Sequence, residues 1–283
     1  MLPANERARE LGSILDDGWA LVRSTPGYLT EREARFLMTA LALAPATGAN
    51  VEIGSFKGRS TVGLAFVASK LGLGPVTAID PHSCPSPTDP RLVDQTSTYD
   101  DFLGNLTRAG VRDAVTPVQA FSGEIAKSWR DPIRFLWIDG DHSYEGARAD
   151  VRDFVPFLVP GAVLAMHDVL GTWAGTLRVF DEEILQSRDF GAAGFCGSIA
   201  WAQYRPREGE SLHRRLQHAA LSLPVRRLVP VADRGKAEFG EEKLIRLHGA
   251  DKWRYKFWRA LLPHGWVNAK RLRRRLGGRA PTG

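Results

Sequence analysis

Cysteine is nearly missing from this chain of 283 residues: Cys84 and Cys196 stand far apart and show no metal-ligand spacing. That argues against a disulfide framework and fits a reducing cytosol. Long hydrophobic runs are missing too. The longest, Phe36 to Ala46, is about half of the roughly 20 residues that a membrane span requires, so it reads as a buried helix face. The opening residues MLPANERARELGS are charged and lack the apolar stretch of a signal peptide, and a cytoplasmic location is the expectation. No internal repeat is found, which sets aside solenoids and propellers.

What is present is an ordinary globular composition, 43% hydrophobic and 25% charged, on a length that suits one sizeable α/β domain with additions or two small ones. The net charge of +6 conceals an asymmetry. Residues 205–283 carry 20 Lys/Arg against 7 Asp/Glu, and residues 1–204 carry 18 against 25. An acidic body is followed by a basic tail, a distribution that suits an anionic partner for the tail.

Along the body, short apolar runs alternate with helical patterns. A first helix spans Asn5 to Arg23, and a second begins where Thr30 and Glu33 form a capping box. Strands are predicted at NVEI, VTAID, AVTPV, IRFLWI and AVLAMH. The helices after them cover Ser60–Leu71, Tyr99–Ala109, Gly123–Trp129, Tyr144–Leu158 and Ala174–Leu185. This rhythm predicts an α/β fold, a mostly parallel sheet with helices on both faces. FCGSIAWAQY adds one or two edge strands. The expected divisions are an N-terminal helical segment at 1–29, the sheet domain at 30–204, and a basic, partly helical extension at 205–283. In the extension, short helices such as Ser211–Leu221 are expected to be interrupted by Pro224 and Pro230.

Ligands of open α/β sheets bind beyond the carboxyl ends of the strands, and four of the five ends here carry a carboxylate: Glu52, Asp80, Asp139 and Asp168. A phosphate cradle wants bare N–H groups and no acid beside them. The first loop, VEIGSFKG, is E-x-G-x-x-x-G and lacks the G-x-G-x-x-G of a dinucleotide site. Glu52 suits a cationic group such as an ammonium or sulfonium. Asp80 is placed to accept two ribose hydroxyls. S-adenosylmethionine carries both, with its methionine part over the glycine loop and its adenine near Phe121 and Ser122. Each residue also has a plainer reading: tight turns at Gly54 and Gly58, a turn at Asp80, a helix cap at Ser122.

Together VEIGSFKGRST, TAIDPH, FLWIDGDHSYEGARADV and VPGAVLAMHDV resemble the class I SAM-dependent methyltransferases. The closest likeness is to bacterial small-molecule and sugar O-methyltransferases related to macrocin O-methyltransferase and to cephalosporin-hydroxylase-like proteins. The likeness covers roughly residues 30–204 and implies a Rossmann-like fold. It also implies a cofactor site made of Glu52, Gly54, Ser55, Gly58, Ser60, Asp80, Ser122 and Asp139. Relatives hold a divalent cation with acids at the last two strand ends, so the resemblance implies Mg2+ or another divalent metal at Asp139, Asp168 and His167. The His167–Asp168 pair stands where some relatives have Asp-Asp, and Asp139 could instead only orient cofactor or loop.

A hydroxyl acceptor must lose a proton, and His142 is the preferred base, with Asp139 beside it as a second catalytic residue; His142 could also be a simple helix-entry histidine. His167 could equally be a core histidine, and His82 a loop residue. The proline-rich stretch Ser83 to Tyr99 is long enough to be a substrate lid. The acceptor class is a small molecule or glycan. In the tail, Trp253, Phe257 and Leu261 among Lys and Arg suit either packing on the body or on a second subunit of a homo-oligomer, or peripheral contact with the inner face of a membrane. No nucleic-acid motif is present, and no nucleic-acid partner is expected. The other functional classes are an NAD-dependent oxidoreductase on a similar sheet and a noncatalytic binding protein using its tail.

Overall fold

The computed structural model describes residues 4–83, 97–170 and 173–250. The five apolar runs form parallel strands: β1 (Ala49–Ile53), β2 (Val76–Ile79), β3 (Val115–Val118), β4 (Ile133–Ile138) and β5 (Leu158–Met166). Two further strands, β6 (Phe190–Cys196) and β7 (Ile199–Tyr204), make one seven-stranded sheet in the order β3-β2-β1-β4-β5-β7-β6. β7 runs antiparallel to both β5 and β6. The chain order reverses between β1 and β4, which opens a crevice at their carboxyl ends. Register then aligns the site: Ile53 pairs with Ile79 and Ile138, and Ile138 pairs with Met166. Gly54, Asp80, Asp139 and His167 therefore leave the sheet side by side.

Both faces of the sheet are covered, which is why its central strands are mostly apolar. On β4, Phe135 and Trp137 face a core shared with α1 (Ala4–Ser24), α2 (Glu31–Leu43), α3 (Arg59–Leu71) and α4 (Tyr99–Arg108). Leu136 and Ile138 face the opposite core with α6 (Tyr144–Phe154), α7 (Ala174–Val179) and α8 (Leu212–Ala250). A short α5 (Ser122–Ser128) follows β3. The Thr30–Glu33 capping box is present, and Ser143 caps α6 by accepting from the Gly146 N–H.

Three elements differ from the sequence expectation. The helix from Tyr144 stops at Phe154, and Leu158 opens β5 instead of closing that helix. Pro156 lacks the N–H that would continue the helix, so a single 3-10 turn intervenes. After Val179 the chain continues as a wide π-helical turn, Phe180–Leu185. Beyond Tyr204 the separate short helices are one helix, α8, which runs through Pro224 and Pro230. Each proline removes a hydrogen bond, but Leu221, Val225 and Ala232 stay buried against the body, and His218 bridges the Leu185 and Gly191 carbonyls. Among the described residues, no helix is long and apolar enough to cross a membrane. The proposed lid lies largely, and the tail residues Trp253, Phe257 and Leu261 lie entirely, outside the described residues.

Arg134 joins sheet and helix layer. Its buried guanidinium donates to the carbonyls of Leu41, Ala44 and Ala46 and to Asn50 Oδ1, at 2.7–3.1 Å. These carbonyls end α2, where the helix dipole favours a cation. Arg134→Met would leave all four acceptors unpaired. It is expected to cost about 3 kcal/mol of stability, read as a lower urea midpoint.

Candidate active site

Glu52, one residue before the end of β1, is fully buried, and one of its oxygens accepts from the Ser60 hydroxyl at 2.5 Å. Burial pushes its carboxyl up to about 8, against that hydrogen bond, and the nearby Asp139 and Asp80 push the same way. Its other oxygen and the Ser55 hydroxyl have no hydrogen-bond partner among the described residues. Gly54 and Gly58 sit at φ of +82° and +87°, which only glycine adopts without strain. At Gly54 there is also no room: a Cβ would lie 2.2 Å from the Asp139 carbonyl oxygen. The Asp80 carboxylate reaches back to the same loop, accepting from Ser55 N and Phe56 N at 2.8 Å each, and from His82 N at 2.6 Å. At the end of β3, Phe121 is 61% exposed and precedes Ser122, whose hydroxyl donates to Asp150.

The tips of β4 and β5 carry the second half of the site. His167 Nδ1 lies 3.1 Å from Asp139 Oδ1 and 3.7 Å from Asp168 Oδ2. Burial alone would lower the His167 ring, but Asp139 and Asp168 override it and hold the ring up to about 10. Burial likewise opposes the charge on Asp139, yet His167 and His142 bring its carboxyl down to about 2. His142 Nε2 faces the same two carboxylates from the other side, 3.7 Å from Asp139 Oδ1 and 3.5 Å from Asp168 Oδ2. Its ring stacks on Trp173, with centroids 5.0 Å apart. Burial lowers the His142 pKa, and the nearby carboxylates of Asp139 and Asp168 raise it by more. Asp168 itself stands at φ +51°, a strained conformation for a residue with a side chain, with its carbonyl held by the Thr176 hydroxyl.

The structure thus gathers Glu52, Gly54, Ser55, Gly58, Ser60 and Asp80 into one loop region, and Asp139, His142, His167 and Asp168 into an adjoining cluster. The donors that converge as a possible cation site are single atoms of Asp139, His142 and Asp168, within 4.8 Å of one another. His167 lies beside this group, with its Nδ1 3.1 Å from Asp139 Oδ1. Two carboxylate oxygens and an imidazole nitrogen fit a divalent cation chemically. Ser122 does not cap α5 but bonds across to Asp150 on α6. His82 is buried against Tyr99 and Phe102, with its ring bonded to Thr98, as a loop residue would be. Asp141 accepts from the Ser143 N–H and hydroxyl at the start of α6.

Sequence reasoning missed Trp173 and Asp150. An acid between Ala147 and Val151 on the core face of α6 was the available signal for Asp150. Burial raises its carboxyl to about 6, opposed by Ser122 and reinforced by Asp141 and Asp153. Trp173 lies beyond the fifth strand, where no periodicity singles it out.

A family model described as a methyltransferase domain matches residues 51–169. Among solved structures, the chain is similar to the O-methyltransferase NovP, at 12% identity over 71% of this chain and 99% of that one, with a TM-score of 0.56. It is also similar to a protein from Corynebacterium glutamicum, at 16% identity over 66% and 89% of the two chains, with a TM-score of 0.50. The chain shares the fold of these solved structures, and its residues 51–169 match a methyltransferase domain.

The raised Glu52 pKa makes folding take up a proton between the ordinary value of 4.5 and about 8. Stability therefore falls as pH rises through that window. Glu52→Gln removes this proton uptake. Urea denaturation of the ligand-free protein at the two ends of the window is expected to show a smaller loss for the variant, by a few kcal/mol.

Proposed function

We propose that the protein is an O-methyltransferase that moves the methyl group of S-adenosylmethionine to a hydroxyl of a sugar-containing or other small-molecule acceptor, with His142 as general base. The observation that carries this reading is His142 Nε2, poised between the Asp139 and Asp168 carboxylates at the strand tips beside the glycine loop. Support for the cofactor comes from the loop itself: buried polar atoms of Glu52 and Ser55 without partners, a turn of bare backbone from Gly54 to Gly58, and the exposed ring of Phe121 as a stacking surface. In this reading Glu52 and Ser60 fix the loop, Gly54, Ser55 and Gly58 pass beneath the methionine part, and Asp80 exchanges loop N–H groups for ribose hydroxyls. Ser122 stands beside the adenine, and Asp139 borders the cofactor from β4.

S-adenosylmethionine, when bound, supplies an electrophilic methyl on a sulfonium. The chain's own contributions are alignment and proton removal. Alignment of nucleophile and electrophile is worth roughly 7–11 kcal/mol. Asp139 and Asp168 stabilise the imidazolium that His142 becomes on taking the hydroxyl proton at Nε2. Trp173 holds the ring in place, and His167 holds Asp139.

A second reading rests on the three converging donors. In it, a divalent cation is held by Asp139, His142 and Asp168 and lowers the pKa of the acceptor hydroxyl. Calorimetry with S-adenosylmethionine and S-adenosylhomocysteine tests the cofactor. Asp80→Ala is expected to weaken binding at least about tenfold, or 1.4 kcal/mol. Failure of the wild type to bind either ligand would overturn the proposal. Turnover on a panel of hydroxylated glycosides, with chelator and with added Mg2+ or Mn2+, separates the two readings.

His142→Asn is expected to cost about 10²–10⁴ in kcat while leaving cofactor binding intact. In the wild type, kcat/KM should rise with pH through an apparent pKa above the ordinary histidine value, because the base must be neutral and its pKa is raised. A flat profile would remove His142 from the role of base.

A further inference from the structure

Among its described side chains, α8 has two apolar faces, and one of them is buried against the body. Leu221 and Val225 are buried against the body. On the opposite side Leu212, Leu216 and Leu223 are 71%, 63% and 61% exposed. At 3.6 residues per turn these three fall in one line along the helix. The same geometry sets the exposed Arg215 and Arg226 along one edge of that line and the exposed Arg227 along the other. Soluble surfaces scatter exposed leucines singly; three in register with an arginine border are a designed face.

The charges around the helix tell what covers it. Four carboxylates near the described part of the helix are already paired: Asp181 with Arg226 at 2.7 Å, Glu208 with Arg214 at 2.8 Å, Glu210 with Arg188 at 3.7 Å, and Asp233 with Arg178 at 3.6 Å. Arg215 makes no ion pair among the described residues. The sequence after Ala250 then adds ten Lys/Arg against one Asp. A second copy of this chain would bring the same arginines face to face across a two-fold axis. An anionic surface with an apolar interior satisfies both the leucines and the arginines, and that is the surface of a bilayer containing acidic lipids.

We propose that the outer face of α8, Leu212, Leu216 and Leu223 with Arg215 and Arg227, is a docking surface for anionic membrane, on which the protein lies peripherally with the leucines in the interface. The proposal is independent of the methyltransferase chemistry. It differs from simple attraction of a basic tail because it requires the leucines.

The test is co-sedimentation of the full chain with vesicles of phosphatidylcholine plus phosphatidylglycerol, and with phosphatidylcholine alone. The wild type is expected to bind the anionic vesicles and to lose most binding to neutral ones. The triple variant Leu212→Ser, Leu216→Ser, Leu223→Ser keeps every charge and is expected to bind about tenfold more weakly or worse. Its thermal melt should match the wild type, because all three side chains are exposed. A second variant, Arg215→Glu with Arg227→Glu, is expected to lose binding in the same direction. Wild-type binding by the leucine variant would overturn the proposal in favour of the basic sequence after Ala250 alone. Absence of vesicle binding, with a wild-type dimer in light scattering that the leucine substitutions make monomeric, would overturn it in favour of a second copy.

Discussion

The tips of β1 and β4 meet so closely that no side chain fits between them. A Cβ on Gly54 would press into the Asp139 carbonyl, and the backbone of each strand tip is bonded to its neighbour: Gly54 N to Ile79 O, Asp139 N to Ile53 O, His167 N to Ile138 O. Everything else in the site hangs from this row. The glycine loop turns away on one side, the Asp139–His167–Asp168 cluster on the other, and the distance between them is set by sheet spacing rather than by flexible loops. A site on such a rigid row is preorganised, as alignment chemistry requires.

Two carboxylates one strand apart are driven in opposite directions by their surroundings. Glu52 has no cation beside it and is held up to about 8, whereas Asp139 lies between two imidazoles and is held down to about 2. The sheet thus keeps one acid able to stay neutral beneath the loop and one reliably ionised at the tip. The ionised one in turn sustains the charge on His167, so that no charge in this cluster is buried alone.

Much of this was legible in the sequence because it is local. The strand pattern depends on runs such as IRFLWI, and the strand ends are simply the residues that follow. The capping box at Thr30 and the cap at Ser143 are set by neighbours within three positions. What escaped is what distant contacts decide. Leu158 has the spacing of a helix residue, but Pro156 ends the helix and pairing with Ile133 draws Leu158 into β5. Pro224 and Pro230 read as breaks, yet burial of Leu221 and Val225 keeps α8 continuous. The convergence of His142 and His167 on the Asp139 and Asp168 carboxylates depends on how two strand tips pack, and no spacing rule reports that.

Glu33 ties together two ends of the fold. Its carboxylate is shared between Thr30, three residues away, and the N–H and hydroxyl of Ser198, 165 residues away. One oxygen closes the cap of α2, and the other is bonded at the β6–β7 turn, where Gly197 at φ +68° leaves space for the carboxylate. A single side chain therefore fastens the last hairpin of the sheet to the cap of a helix near the start of the chain, so that loss of either would loosen both.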